Sequence, residues 1–283
     1  MSHAPEVAPA EVTEPPRRFR LTGVFLAALT VILSSLHGWA IWIALGGREG
    51  LTNGWPLWRD DHPLYYHSAL VTRHFLKQSG TTAGYDPAFM SGYAKSVVFP
   101  ASSTLPELVI ALFGRSRPDV AYKAYVLASA AAIPWLVAAA ALLWRAGPGG
   151  ALASVVLFLV YVWTDFPINY AAFGMLPYLL AIPLGLVATG TFSRYCERGG
   201  AGWWLASVVL MTVVVLVHFT SAMVVAPAAA LAYAVGLTGV PEARARFTWS
   251  RHVGVWAIPV TVVALNAFWW LPVLWLSQTK GAS

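Results

Sequence analysis

The run Trp58, Arg59, Asp60, Asp61, His62, Pro63 holds the sharpest polar chemistry of the chain. Adjacent carboxylates at a membrane surface supply a general base or oxygens for a metal, so Asp60 and Asp61 are candidates for both roles. A plainer role competes with this one. Pro63 fits an early helical position, and Asp61 or His62 would then cap that helix by accepting its orphan amide hydrogens. A cap accounts for one carboxylate and leaves Asp60 without an assignment.

Other polar residues fall into groups. Arg59, Arg73, Lys77, Lys95, Arg115 and Arg117 make the surrounding segment basic, which suits a phosphate or pyrophosphate at the membrane surface or, residue by residue, anionic lipid headgroups. Gly84, Tyr85, Asp86 and Pro87 through Tyr93, then Phe99 to Ser102, set aromatics among turn residues. Such a loop either lines a carbohydrate site, Tyr85 included, or folds as a cap with a small core of its own. His67 and His74 share a helical face, but their spacing is not the i, i+4 of helical zinc pairs, so a structural role at an aqueous rim is expected. Asp165 and His218 end two apolar runs on the same side as the acidic pair. They face either a cavity or the headgroup layer. No GxSxG, HExxH, Walker or GxGxxG pattern occurs in a supporting context.

Composition decides what must position these groups. The chain of 283 residues is 58% hydrophobic and 11% charged, and it carries 14 tryptophans. Those values are far from globular averages and place it in the membrane class. The net charge of +6 sits in short segments between apolar runs, where it meets headgroups, so nucleic-acid binding is not expected. The single Cys196 excludes an intramolecular disulfide.

A helix needs about 20 apolar residues to cross a hydrocarbon core of about 30 Å. Segments 21–45, 120–144, 149–166, 175–192, 203–219, 222–237 and 253–276 come close, which predicts an all-α bundle of about seven spans. The fifth and sixth form a tight hairpin or one broken helix. The first is too long for a signal peptide and reads as a retained span. The tail 1–16 is rich in Ala, Pro and Glu and is expected to be disordered.

Orientation follows from Arg17, Arg18, Arg20, Arg145, Arg194, Arg198, Arg244, Arg246 and Arg251, which fall on one side. The positive-inside rule makes that side cytoplasmic, with the N-terminus inside and the loop 46–119 extracytoplasmic. That loop is too long to be structureless without a purpose. A surface helix is expected over 63–78, and another from Ser103 to Phe113, where Thr104 and Glu107 resemble a capping box.

This layout resembles the polyprenyl-phosphate-sugar-dependent glycosyltransferases of the C-type membrane fold. In that family a first span is followed by a long outer loop with an acidic pair and surface helices. Asp60 and Asp61 take the position of the pair. The stretches Tyr85 to Tyr93 and Phe99 to Pro106 look like the same loop in bacterial and archaeal members, and Asn266, Phe268, Trp269, Trp270 and Pro272 look like the aromatic end of a later span. The match covers residues 17–276.

The resemblance implies an inverting transfer in a plasma (inner) membrane, from a polyprenyl-phosphate-linked sugar to an acceptor hydroxyl. Asp60 or Asp61 would be the base, and Arg59 and Lys95 would stabilise the leaving phosphate. His62, Tyr85, Asp165 and His218 would contact substrate, and Asp60 and Asp61 would hold a divalent cation such as Mg or Mn if one is used. It also implies further spans, so 277–283 reads as a tail or a truncation point. The competing classes are a transporter or flippase half, and a non-catalytic protein that binds lipid-linked glycans.

Overall fold

The computed structural model describes residues 17–89, 92–95, 103–164, 175–238 and 247–277. Tail 1–16, Asp165, Arg244, Arg246 and 278–283 therefore lie outside the described residues. In chain order the elements are α1 (Arg17–Ala44), α2 (Gly47–Thr52), α3 (His62–Ser79), β1 (Gly84–Asp86), β2 (Tyr93–Lys95), α4 (Leu105–Phe113), α5 (Pro118–Leu143) and α6 (Gly147–Val162). They continue with α7 (Leu176–Arg198), α8 (Ala201–Val217), a 3₁₀ turn (Phe219–Ser221), α9 (Ala222–Thr238), α10 (Trp249–Leu265) and α11 (Ala267–Ser277). Helices α3 to α7 all begin with a proline in their first two positions, where its missing N–H would be unpaired anyway.

Among the described residues, α1, α5, α7 and the stretch Phe219–Thr238 are long and apolar enough to cross a bilayer, and the pair α10–α11 adds a fifth if it is one bent span. The chain is an all-α membrane protein. Helices α6 and α8 are apolar but shorter, at 16 and 17 residues.

The segment expected as one span at 253–276 is two helices bent by 63°. Asn266 explains the bend. Its amide donates to the Val262 carbonyl at 2.9 Å and accepts the Trp269 indole N–H at 2.8 Å, while the Trp270 indole donates to the Val263 carbonyl at 3.0 Å. Three side-chain bonds thus serve polar groups at the break. The connection between α8 and α9 also resolves. His218 is extended (φ −158°, ψ 110°), the 3₁₀ turn follows, and α9 then packs along α7 instead of closing as a tight hairpin on α8.

Side-chain contacts tie neighbouring helices together. His37 on α1 bonds the Ala130 carbonyl of α5 at 3.0 Å and accepts the Trp163 indole N–H from beyond α6 at 3.1 Å. A carbonyl only accepts and an indole only donates, so His37 is the neutral ring with its proton on Nε2. One buried side chain thereby ties three helices together. Further along, Trp204 on α8 donates to the Gly254 carbonyl of α10 at 2.9 Å, and Tyr233 on α9 bonds His252 on α10 at 2.6 Å.

The two ends of the bundle differ chemically. At one end, Arg145 and Arg194 share Glu197, and Arg251 reaches the Cys196 carbonyl. At the other end lies the layer formed by α2, α3, the β1–β2 hairpin and α4, anchored by the Thr104 N–H on the Leu216 carbonyl at 2.9 Å. Lys123 of α5 pins that layer from below. Its ammonium donates to the carbonyls of Gly50 and Asn53 and to the Asn53 side chain, all within 2.9 Å.

Candidate functional site

The acidic pair sits in the turn that starts α3. The His62 N–H donates to the Arg59 carbonyl at 3.0 Å and the Tyr65 N–H to the Asp61 carbonyl at 3.1 Å, closing the first turns. Asp60 between them has φ 42°, a left-handed backbone that Asp tolerates better than most residues. Its side chain is exposed, and that of Asp61 is half-buried. Asp61 holds the capping position of α3, yet its carboxylate makes no bond to the helix amides. The capping role weighed from sequence is therefore not taken up by its side chain.

Burial, and after it the neighbouring Asp60 charge, raises the Asp61 carboxyl above its ordinary value. A carboxylate moved in that direction is a stronger base when ionised. Behind it, His62 is only 3% exposed and its Nδ1 bonds the Tyr122 hydroxyl at 2.9 Å. Tyr122 also packs edge-on to that ring and lies close enough to Asp61 for the two to interact. His62 is thus turned toward the bundle, which revises its expected contact with substrate. It is a strut that fixes the acidic turn to α5. Tyr122 went unnoticed in the sequence; its one legible signal is Tyr122 and Tyr125 together on one face of a span's first turns.

Lys95, expected to face a phosphate, is 2% exposed and fully engaged. Its ammonium donates to the Glu107 carboxylate at 2.7 Å, to the Thr82 carbonyl at 3.0 Å and to the Thr72 hydroxyl, which itself donates to the same Glu107 oxygen at 2.9 Å. All three ammonium protons are used. Burial pushes the Glu107 carboxyl above its ordinary value, while Lys95 and Thr72 oppose that shift. The group joins α3, the hairpin and α4 and is a structural staple. Glu107 accordingly does not complete a capping box with Thr104, which forms no side-chain cap.

Other cations of the layer are committed too. Arg73 donates to the carbonyls of Gly114 and Arg115, and Arg117 pairs with Asp119 at 2.7 Å while reaching the Thr52 carbonyl. Arg59, Lys77 and Arg115 remain exposed, and Arg59 adjoins the carboxylates. Tyr85 is 64% exposed on the outer face of β1, its hydroxyl resting where a side chain on Gly92 would be. Gly92 also has φ 100°, so glycine suits that position twice over.

Two sequence candidates lie farther along the chain. Asp165 is outside the described residues. His218 is 2% exposed between the Tyr178 ring, 4.1 Å away by centroids, and the Thr220 hydroxyl, which meets Nδ1 at 2.7 Å; Nε2 is buried with no hydrogen-bond partner. Its neighbour Phe219 lines a cavity of about 740 Å³ between α8, α9, α10 and α11. The lining runs from Tyr233 past Ala229 and Val262 to Asn266 and Trp269, and it includes no ionisable carboxylate or amine. Asp60, Asp61 and His218 are not among the residues that line this cavity.

Among the described residues no three His, Cys, Asp or Glu side chains come together as a metal site. That argues against zinc at His67 and His74. An adjacent carboxylate pair is still compatible with Mg, which keeps several waters and uses one or two carboxylates with substrate phosphates. No family model, curated protein or solved structure matches the chain.

Proposed function

We propose that this chain is a membrane glycosyltransferase that moves a sugar from a polyprenyl-phosphate donor to a hydroxyl acceptor at the face bearing α2–α4. The observation that carries it is Asp61, a half-buried carboxylate with a raised pKa and no capping bond, beside Asp60 and exposed Arg59. In this reading the chain crosses the membrane about seven times, α6 and α8 included, with tilt and flanking residues making up their shorter lengths. The arginine-rich end is cytoplasmic by the positive-inside rule.

The chemistry follows from the groups present. Asp61 takes the acceptor hydroxyl proton as that oxygen attacks the anomeric carbon, and the bond from that carbon to the phosphate oxygen breaks with its electron pair staying on phosphate. Arg59 offers a bidentate fork to that phosphate. Asp60 and Asp61 would hold a divalent cation, where one is used, and it would supply charge neutralisation for the phosphate. Tyr85 offers a ring to a sugar face. The apolar cavity supports the lipid part of the reading, since an uncharged groove between helices accepts an isoprenoid chain.

Filling the groove tests that part. Ala229→Trp is expected to raise the KM for a polyprenyl-phosphate sugar about tenfold with kcat nearly unchanged, the pattern of a lost uniform binding contact. An unaltered KM would remove the groove from the donor site. The same cavity favours a second reading, a non-catalytic binder of lipid-linked glycans, because no carboxylate lines it. Donor binding without turnover by the purified wild-type chain would select the binder.

A further inference from the structure

The far end of α4 carries apolar surface that the rest of the chain leaves uncovered. One face of α4 holds the buried Glu107, which meets Thr72 of α3 and Lys95 of β2. On another face Leu105, Leu108 and Leu112 stand at i, i+3 and i+7, a single stripe along the helix. Leu105 and Leu108 pack against Leu216 near the end of α8 and Trp269 of α11, so this stripe is the one turned toward the membrane helices. Leu112 continues it past them and is 68% exposed, and Phe113 beside it is 76% exposed. The same tip is held at the start of a span. Arg73 donates to the carbonyls of Gly114 and Arg115, and a Cβ on Gly114 would stand only 3.1 Å from the Cα of Pro118, the first residue of α5. Helix α5 is long and apolar enough to cross a bilayer, so its first residue lies near the level where headgroups meet hydrocarbon. Leu112 and Phe113 reach that level too, with exposed Arg115 next to them.

We propose that Leu112 and Phe113 form an interfacial anchor that enters the phospholipid leaflet beside α5, with Arg115 at the headgroup phosphates. Apolar side chains gain by leaving water for the acyl boundary, and a cation next to them meets the phosphate that phospholipids carry at that depth. Lipid is the occupant because the patch continues the stripe that packs on the spans and adjoins the start of α5, and because the exposed charge beside it is positive. The Lys95 bonds join α4 to α3, so the anchor also sets the height above the leaflet at which α3 and its acidic first turn ride. The inference rests on the membrane assignment alone and needs no transfer reaction.

The test uses the full chain with the buried Cys196 changed to alanine and a single nitroxide label at Leu112→Cys or Phe113→Cys, in nanodiscs of phosphatidylcholine and phosphatidylglycerol. Both native side chains are exposed, so a label there displaces little packing. Each label is expected to relax more with oxygen, which concentrates among acyl chains, than with a water-soluble nickel chelate. Arg115→Gln is expected to lower the oxygen-to-nickel ratio at Phe113→Cys; an unchanged ratio would remove Arg115 from the anchor. A second measurement keeps the unaltered chain. Nanodiscs carrying a phosphatidylcholine with a diazirine near the start of its acyl chain are irradiated, and the peptide 112–118 is expected to carry the lipid adduct. Labels reached better by nickel than by oxygen, labels shielded from both by protein, or a peptide 112–118 left unmodified would overturn the proposal.

Discussion

Asp61→Asn is expected to lower sugar transfer by about 10²- to 10⁴-fold, the range for loss of a general base, with the protein still folded. Its companion Asp60→Asn should act differently. Asparagine also tolerates the left-handed backbone at that position, so this change removes the charge and leaves the turn intact. The direction of the pH effect follows from the causes of the Asp61 shift. Asp61 must be ionised to accept a proton, so kcat/KM falls as pH drops through its raised value, above the ordinary 3.8. Without the Asp60 charge the second cause disappears and burial remains, so the acid limb of Asp60→Asn moves down but stays above that ordinary value. Stability carries the opposite sign: a carboxyl raised on folding adds stability only below its folded pKa, and that contribution is lost as pH rises through it. Identical acid limbs in wild type and Asp60→Asn would contradict the Asp60 contribution to the Asp61 shift.

Lys95→Met should produce the largest loss of stability, about 3–5 kcal/mol, because it leaves the Glu107 carboxylate buried without its cation. The cause is the stranded charge, not the missing attraction. Removing both partners in Lys95→Met/Glu107→Leu is therefore expected to recover most of the loss, since apolar groups of similar volume often replace a buried pair at little net change. Thermal unfolding in a fixed detergent, with amide exchange of 84–95 as a local readout, distinguishes the two variants. A double variant as unstable as the single one would contradict the staple.

Residues whose information is local were readable in advance. The apolar runs became helices close to their expected bounds, and Pro63 and the 63–78 periodicity gave α3, because hydrophobic length and proline position act within a few turns. The break at Asn266 was missed because the apolar run continues through it. Its signal was one amide residue placed three and four positions before two tryptophans. Lys95 was misjudged for a different reason. Its partners, Thr72, Thr82 and Glu107, come from α3, the turn after it and α4, and nothing at position 95 announces that they converge. His62 shows the same limit, since a histidine beside two aspartates looks solvent-facing until Tyr122 is seen to hold it. The chemistry of Asp60 and Asp61 was legible as residue type, whereas the absence of a capping bond at Asp61 needed coordinates.

The most direct measurement places the purified chain in bilayers with a radiolabelled polyprenyl-phosphate sugar and follows the label and the released lipid phosphate together. Label is expected to leave the lipid, to appear on an acceptor glycoside in equal amount, and to stay on the lipid in the Asp60→Asn/Asp61→Asn double variant. Label that never leaves the lipid, or leaves equally fast without the two carboxylates, would contradict the proposed transfer.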